Sequence, residues 1–409
     1  MRILVSAYAC EPGQGSEPGV GWNWARELAR EHDVWVLTRA NNREQIEAAV
    51  VAHPDPRLRF LYLDLPPWIR RWKRGQRGIH AYAYAWQLAA RRVVRDAHRS
   101  YRFDLVHHVT FASAFIPART WLSDVPFVWG PVGGGIRVPW RLVPEGGPRA
   151  VLYETLRAAR RFVSRYGDPL VRSTWRHADL ILVQNAETLS WLPRKHRGKA
   201  RLHPNAGIDA SEIRASPRGH DDSLVAIAAG RLVHLKAFSL AIRALAKLRD
   251  PRIRLIVAGD GPERARLERL VERLALSERV EFLGQIPNQQ LLERFAGADV
   301  LLFPSLHEEC GFVVVEAMAR GAVPIVLDIG GPAALVGSAG HLVPARGRSR
   351  LEVIDGLADA LSSTRDPVAR ARLSGAAVER ARSFSWSTKP AALDTQLFGY
   401  LEIATGVTR

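Results

Sequence analysis

The chain has 409 residues, 47% of them apolar and 24% charged, which excludes general disorder and makes two domains the default expectation. A formal net charge of +17 favours anionic partners, such as nucleotide phosphates, lipid phosphates, a membrane face or nucleic acid, unless it is simply an Arg-rich solvated surface. The two cysteines, Cys10 and Cys310, read as free thiols in a reducing compartment.

Met1-Arg2 runs straight into a strand pattern, Ile3–Ala7, and lacks the charged region, long apolar run and cleavage site of a signal peptide. No run reaches the ~18 apolar residues of a membrane-spanning helix. The expectation is a cytoplasmic protein, or one on the cytoplasmic face of a membrane. Further strand candidates are Val34–Thr38, Phe60–Leu63, Leu105–Val109, Phe127–Trp129 and Leu180–Val183. The second half adds Leu224–Ala228, Ile253–Ala258, Val280–Phe282, Val300–Phe303 and Pro324–Leu327. Most are continuous apolar runs, as strands buried on both faces require. Helical patterns such as Trp22–Arg30, Ser239–Leu248, Glu263–Leu274 and Phe312–Arg320 lie between them. This βαβα order predicts an α/β protein with two Rossmann-like, doubly wound parallel sheets. The rhythm breaks near His203-Pro204, and a polar stretch from Ser211 to Asp222 follows. The predicted domains are therefore 1–203 and 204–385, with a helical tail over 386–409 that packs back on the first domain.

Open α/β sheets bind ligands beyond the carboxyl ends of their strands, so those ends carry the candidates. After the first strand, Gly13, Gly15, Ser16, Gly19 and Gly21 form a Gly-rich turn suited to a phosphate, although the spacing fits neither the dinucleotide fingerprint nor a P-loop. After Ala228 come Gly230, Arg231 and Lys236, two cations able to clamp a diphosphate from two sides. Gly259-Asp260-Gly261-Pro262 reads as a tight turn with a possible backbone approach to a nucleotide. The densest constellation is His307-Glu308-Glu309-Cys310-Gly311-Phe312, followed by Glu316. The loop before the helix lets Glu308 and Glu316 face one elongated ligand, and carboxylates suit sugar and ribose hydroxyls. A structural reading, acids favouring a helix N-terminus, accounts for Glu308 and Glu309 but not for Glu316 among apolar neighbours. Asp328, Gly330 and Gly331 end the next strand.

These residues resemble the retaining glycosyltransferases of family 4, with GT-B architecture, over nearly the whole chain. The family's pair of glutamates eight residues apart falls on Glu308 and Glu316, and its diphosphate-binding Arg and Lys fall on Arg231 and Lys236. Pro204-Asn205-Ala206-Gly207-Ile208-Asp209 matches a family signature with one extra residue. The stretches Ser16–Trp24 and Gly130–Gly135 resemble a bacterial branch that builds surface polysaccharides. The resemblance implies a nucleotide sugar, UDP- or GDP-linked, held at a central cleft between the domains. It implies that Glu308 touches the transferred hexose, that Glu316 holds the ribose, and that configuration is retained without a covalent enzyme intermediate. It implies no metal and no cofactor; the chain also has no Asp-x-Asp pair for a metal-bound diphosphate. The implied donor contacts are Gly19, Gly21, Gly230, Gly259, Gly261, Gly311, Phe312, Glu316, Asp328, Gly330 and Gly331, with Glu308, Arg231 and Lys236 as the catalytic group. A family His motif falls near Asp104, His107 and His108, with Val109 replacing its second His, so one of His107 and His108 is a candidate contact. Gly133, Gly134 and Gly135 are the acceptor-side candidates, and the acceptor is a glycan or a lipid-diphosphate-linked chain.

From Trp68 to Arg95 the chain interleaves cations with Trp72, Tyr82, Tyr84 and Trp86, a composition that suits an anionic membrane interface. Nucleic acid is not expected, for want of a recognisable binding motif. Alternatives stay open: a nucleotide-sugar epimerase or a phosphorylase of similar architecture, a non-catalytic binding protein, or an NAD(P)-dependent oxidoreductase. Arg39, where an acidic ribose ligand belongs, speaks against the last.

Overall fold

The apolar runs pair as two parallel sheets. The computed structural model describes residues 1–70, 78–143, 147–214 and 223–389. One sheet holds β1 (Arg2–Ala7), β2 (Asp33–Thr38), β3 (Leu58–Tyr62), β4 (Leu105–Thr110), β5 (Phe127–Val132), β6 (Leu180–Val183) and β7 (Ala200–Leu202), in the order β3-β2-β1-β4-β5-β6-β7. The other holds β8 (Leu224–Ala229), β9 (Ile253–Ala258), β10 (Val280–Gly284), β11 (Val300–Phe303), β12 (Val323–Leu327) and β13 (His341–Val343), in the order β10-β9-β8-β11-β12-β13. Edge strands β7 and β13 are absent from the sequence expectations. They are three residues long and partly exposed, so no apolar run announces them.

In the first half, helices α1 (Ser16–Ala29), α2 (Arg43–Ala52), α3 (Pro67–Arg70), α4 (Ile79–Tyr101), α5 (Pro148–Tyr166), α6 (Pro169–His177) and α7 (Ala186–Trp191) alternate with the strands. The second half adds α8 (Phe238–Lys247), α9 (Arg264–Arg273), α10 (Asn288–Gly297), α11 (Phe312–Ala319), α12 (Gly330–Val336), α13 (Arg350–Ser363) and α14 (Pro367–Arg382). Among the described residues no helix is long and apolar enough to cross a membrane. Both sheets are covered on two faces, as parallel sheets must be. Along β8, Ala226 and Ala228 enter one apolar cluster with α8 and α13, while Ile227 and Ala229 enter another with α11.

The chain divides into two units of contact: Met1–Gly135 with Ala159–Asn205 and the stretch from Trp386, and Ile136–Ala158 with Ala206–Ser385. The sequence boundary at 203 leaves residues 136–158 in the first domain, whereas they pack with the second unit. Of the predicted tail, Trp386 and Lys389 are buried in the first unit, with Lys389 Nζ donating to the Pro204 carbonyl at 2.7 Å. Its remainder, 390–409, lies outside the described residues.

Helix α1 starts at Ser16, well before the predicted Trp22. Gly19 and Gly21 therefore sit inside a helix in spite of glycine's low helix propensity. Close packing explains them: a Cβ on Gly19 would stand 1.9 Å from the Gln14 carbonyl oxygen, and one on Gly21 would stand 2.1 Å from that of Ala9.

The predicted aromatic membrane strip does not form as expected. Tyr82 and Trp86 are fully buried, with the Tyr82 hydroxyl on Asp64 (3.1 Å) and Trp86 Nε1 donating to the Leu63 carbonyl at 2.8 Å. Arg91 lies over the Trp121 ring, 4.1 Å from its centroid. Trp68 is exposed, and residues 71–77 lie outside the described residues. The helical period of α4 turned Tyr82 and Trp86 inward. Trp86→Ala is expected to cost about 3–5 kcal/mol in denaturant unfolding; a loss below ~1 kcal/mol would place the indole on the surface after all.

Candidate active site

Strand order in the second unit reverses between β8 and β11, and the loops after these two strands meet there. Arg231 follows β8 directly and is exposed. Beside it lies a cavity of about 320 Å³ lined by Gly230, Arg231, Ala258, Gly259, Asp260, Gln285, Ile286 and Leu291. Its floor is backbone. Gly259 (φ +139°) lies so close to Gly230 that a Cβ would stand 2.0 Å from the Gly230 carbonyl oxygen. Gly261 has the same relation to Leu232, at 2.5 Å. The turn therefore needs glycine for close approach as well as for its backbone angle. Gln285, Ile286 and Leu291 had no signal in the sequence beyond following β10.

Lys236 and Glu308 form an ion pair across the switch, each with under a quarter of its side chain exposed (18% and 23%). The two loops are also tied by backbone, Leu306 N donating to the Leu235 carbonyl at 2.8 Å. The Lys236 ammonium lies 4.6 Å from the centroid of the Phe303 ring at the end of β11. Gly311, in the left-handed region at φ +89°, turns the chain into α11. Gly331 N donates to the Glu308 carbonyl at 2.9 Å, and a Cβ there would stand 2.3 Å from the Cys310 carbonyl oxygen. Gly330 packs as closely on the Glu308 carbonyl and on Ile136, whereas Asp328 is exposed at the end of β12. Phe312 and Glu316 are both partly exposed on α11. Burial pushes the Glu316 carboxyl up to about 7, and the nearby Glu212 carboxylate acts in the same direction.

Sequence reading missed the contribution of α5. Glu154 is buried and lies 3.7 Å from His234 Nε2, inside the turn between Arg231 and Lys236. One turn on, Arg157 lies 3.7 Å from Glu154 and contacts the His307 ring, and His307 Nε2 is 3.3 Å from Glu309. One helical turn thus holds both loops of the switch. The available signal was a lone carboxylate, Glu154, among five arginines from 148 to 166.

In the first unit the strand order reverses between β1 and β4. There Tyr8 packs on Phe111 with centroids 4.4 Å apart, and Phe111 N donates to Glu17 Oε2 at 3.0 Å. Burial pushes the Glu17 carboxyl up to about 7. The two histidine candidates are inside the sheet. His107 Nε2 bonds the Gly130 carbonyl at 2.8 Å, and His108 Nδ1 bonds Ser6 Oγ at 3.0 Å. Both are fully buried, and desolvation holds them down to about 4 and about 3. They are neutral residues bonded within the core of the sheet. The acceptor candidates are also packed away. Gly133 exchanges backbone hydrogen bonds with Ala112 and Ala114, and a Cβ on Gly134 would stand 2.9 Å from Ala114 Cβ. One on Gly135 would stand 2.3 Å from Thr188 Cα. Their smallness serves packing.

Residues 15–206 match the family Glycosyl transferase 4-like domain, and residues 209–376 match Glycosyl transferases group 1. The chain is 32% identical over 240 residues to a D-inositol 3-phosphate glycosyltransferase of Streptomyces avermitilis, covering 53% of this chain and 50% of the relative. It thus spans about half the length of that relative. The corresponding protein of Corynebacterium glutamicum is 27% identical over 423 residues, covering 94% of this chain and 92% of its own. Among solved structures, Anabaena HepE in complex with UDP superposes with a TM-score of 0.61 at 19% identity, covering 98% of this chain and 100% of that one. A sucrose-phosphate synthase of Thermosynechococcus elongatus gives 0.64 at 20% identity, over 97% and 99%. Two α/β units with these strand orders, and two family matches that together take in most of the chain, lead to one classification: it belongs to the glycosyltransferases of GT-B fold.

Proposed function

We propose that this chain transfers a hexose-type sugar from a nucleoside diphosphate donor to a glycan or lipid-linked acceptor, retaining anomeric configuration and using no metal. The observation that carries this reading is the Lys236–Glu308 pair at the β8–β11 switch, beside Arg231 and the backbone-floored cavity. The cavity takes the nucleoside, and Arg231 and Lys236 take the diphosphate. A phosphate offers Lys236 a second acceptor, which frees a Glu308 oxygen for the sugar's hydroxyls. As the bond from the sugar's anomeric carbon to phosphate breaks, charge grows on the leaving oxygen. Arg231, Lys236 and the amides at the start of α11 stabilise that charge. The acceptor hydroxyl attacks from the face the phosphate leaves, and its proton passes to the departing phosphate oxygen. Two permanent cations do the neutralising that a metal would otherwise supply. Relatives support the donor class: HepE has been solved with UDP and with UDP-glucose. The acceptors named for relatives, an inositol phosphate and 2-deoxystreptamine, differ too much to carry over. The oxidoreductase alternative finds no support in the first unit, because Arg39 after β2 is occupied by Asp64 at 3.5 Å and by the rings of Tyr8 and Tyr82.

Three outcomes are expected. One of UDP, GDP or ADP, at 100 times its dissociation constant, stabilises the chain by about 2.7 kcal/mol while NAD does not, and Arg231→Ala abolishes the effect. Stabilisation by NAD alone, or by none of the four, sinks the transferase reading. Lys236→Ala lowers turnover by about 10²–10³, measured under saturating donor. The third concerns pH. Glu316 binds ribose best as the carboxylate, so nucleotide affinity rises with pH through about 7, and Glu316→Gln flattens that rise. The sign for stability is opposite. A carboxyl raised from 4.5 to about 7 by folding stabilises below the lower value and loses that contribution as pH climbs through the upper one. Unliganded Glu316→Gln should therefore gain in melting temperature on wild type between about pH 5 and pH 8. A constant difference would remove Glu316 from this role.

A further inference from the structure

Residues 159–205 of the first unit carry ten Lys and Arg against three carboxylates, so seven of the chain's seventeen excess positive charges fall in this one stretch. Four of those cations surround a cavity of about 230 Å³. Arg165 and Tyr166 come from the end of α5, Arg172, Trp175 and Arg176 from α6, and Pro193 and Lys195 from the loop after α7. No carboxylate lines it. None of the four cations has an ion-pair partner among the described residues, and the Arg165 Nε is buried without a hydrogen-bond acceptor. Trp175 is buried at its floor, and Arg172 is held by donating to the Tyr166 carbonyl at 3.2 Å. The field is felt next door: burial first, then Lys199, Lys195 and Arg176, hold His196 down to about 4. Like charges gathered around a hollow with no acid call for an anion to fill it.

The cavity's rim adds a second feature. Phe162, Val163 and Tyr166 are 65%, 59% and 55% exposed on the last turns of α5, and the Phe162 and Tyr166 rings sit 4.8 Å apart. An exposed apolar ridge beside a basic pocket has two chemistries, and one environment supplies both. We propose that this face docks on a bilayer rich in anionic phospholipid: a phosphate headgroup enters the pocket of Arg165, Arg172, Arg176 and Lys195, and Phe162, Val163 and Tyr166 enter the interface. The surface is separate from the predicted Trp68–Arg95 strip and does not rest on the transfer chemistry.

The test is co-sedimentation of the full chain with phosphatidylcholine vesicles, with and without phosphatidylglycerol. Arg176→Glu/Lys195→Glu and Phe162→Ser alter exposed side chains, so their melting temperatures and nucleoside diphosphate stabilisation should match wild type. The expected result is binding to the anionic vesicles alone, falling by about tenfold or more in the double variant. Phe162→Ser should lose the fraction that survives moderate salt. The proposal is overturned if wild type stays in the supernatant at low salt, or if the double variant binds like wild type. Inorganic phosphate protecting the pocket without vesicle binding would make it a site for a soluble anion. Self-association lost in Phe162→Ser, without vesicle binding, would make the ridge a contact between two copies.

Discussion

The Lys236–Glu308 ion pair depends on β8 and β11 lying side by side although some seventy residues separate their loops. Parallel strands that neighbour each other at a reversal of strand order leave an opening above their carboxyl ends, because the helices that follow them leave to opposite faces. Arg231, Lys236, Glu308 and a floor of backbone stand at this opening. An ion pair with most of its surface withheld from water is costly to leave half-made, so each partner holds the other in place. Glu154 and Arg157 fix the same two loops from α5, through His234 and His307.

Glycine matters here through distance. Gly230 and Gly259 bring two strand ends together, and Gly331 brings α12 against the loop that carries Glu308. A methyl group at Gly259 or Gly331 would overlap a carbonyl oxygen, so the loops that carry charge could not converge. The glycines of the first unit behave likewise, since Gly19, Gly21 and Gly133–Gly135 close gaps between elements instead of opening space for a ligand.

The charge excess is not uniform. Around α4, arginines stack on aromatic rings or pair with acids, as Arg91 does on Trp121 and Arg92 with Asp96. Around α6, cations face a hollow without counter-charges. Composition treats these two regions alike, and the difference lies in which way each helix turns its side chains.

What the sequence determined by itself was the alternation of elements and the residues at strand ends. Most of the eleven strand candidates were continuous apolar runs, the pattern of strands buried on both faces, and all eleven became strands. Arg231, Lys236 and Glu308 were legible as candidates because each follows such a run within a few residues, whereas Glu316, inside α11, stood out by its spacing from Glu308 and its apolar neighbours. Tertiary structure decided what depends on distant partners. His107 and His108 looked like strand-end contacts, yet β4 is flanked on both sides by other strands and covered on both faces, so their rings are core. Residues 136–158 belong to the second unit, though they precede its first strand by dozens of positions. Of the glycines that read as a phosphate loop, Gly19 and Gly21 proved to be helix. The pocket of Arg165, Arg172, Arg176 and Lys195 needed three segments to converge. Local patterns report on a residue's neighbours in the chain; burial, ion pairing and close approach are set by residues that only folding brings near.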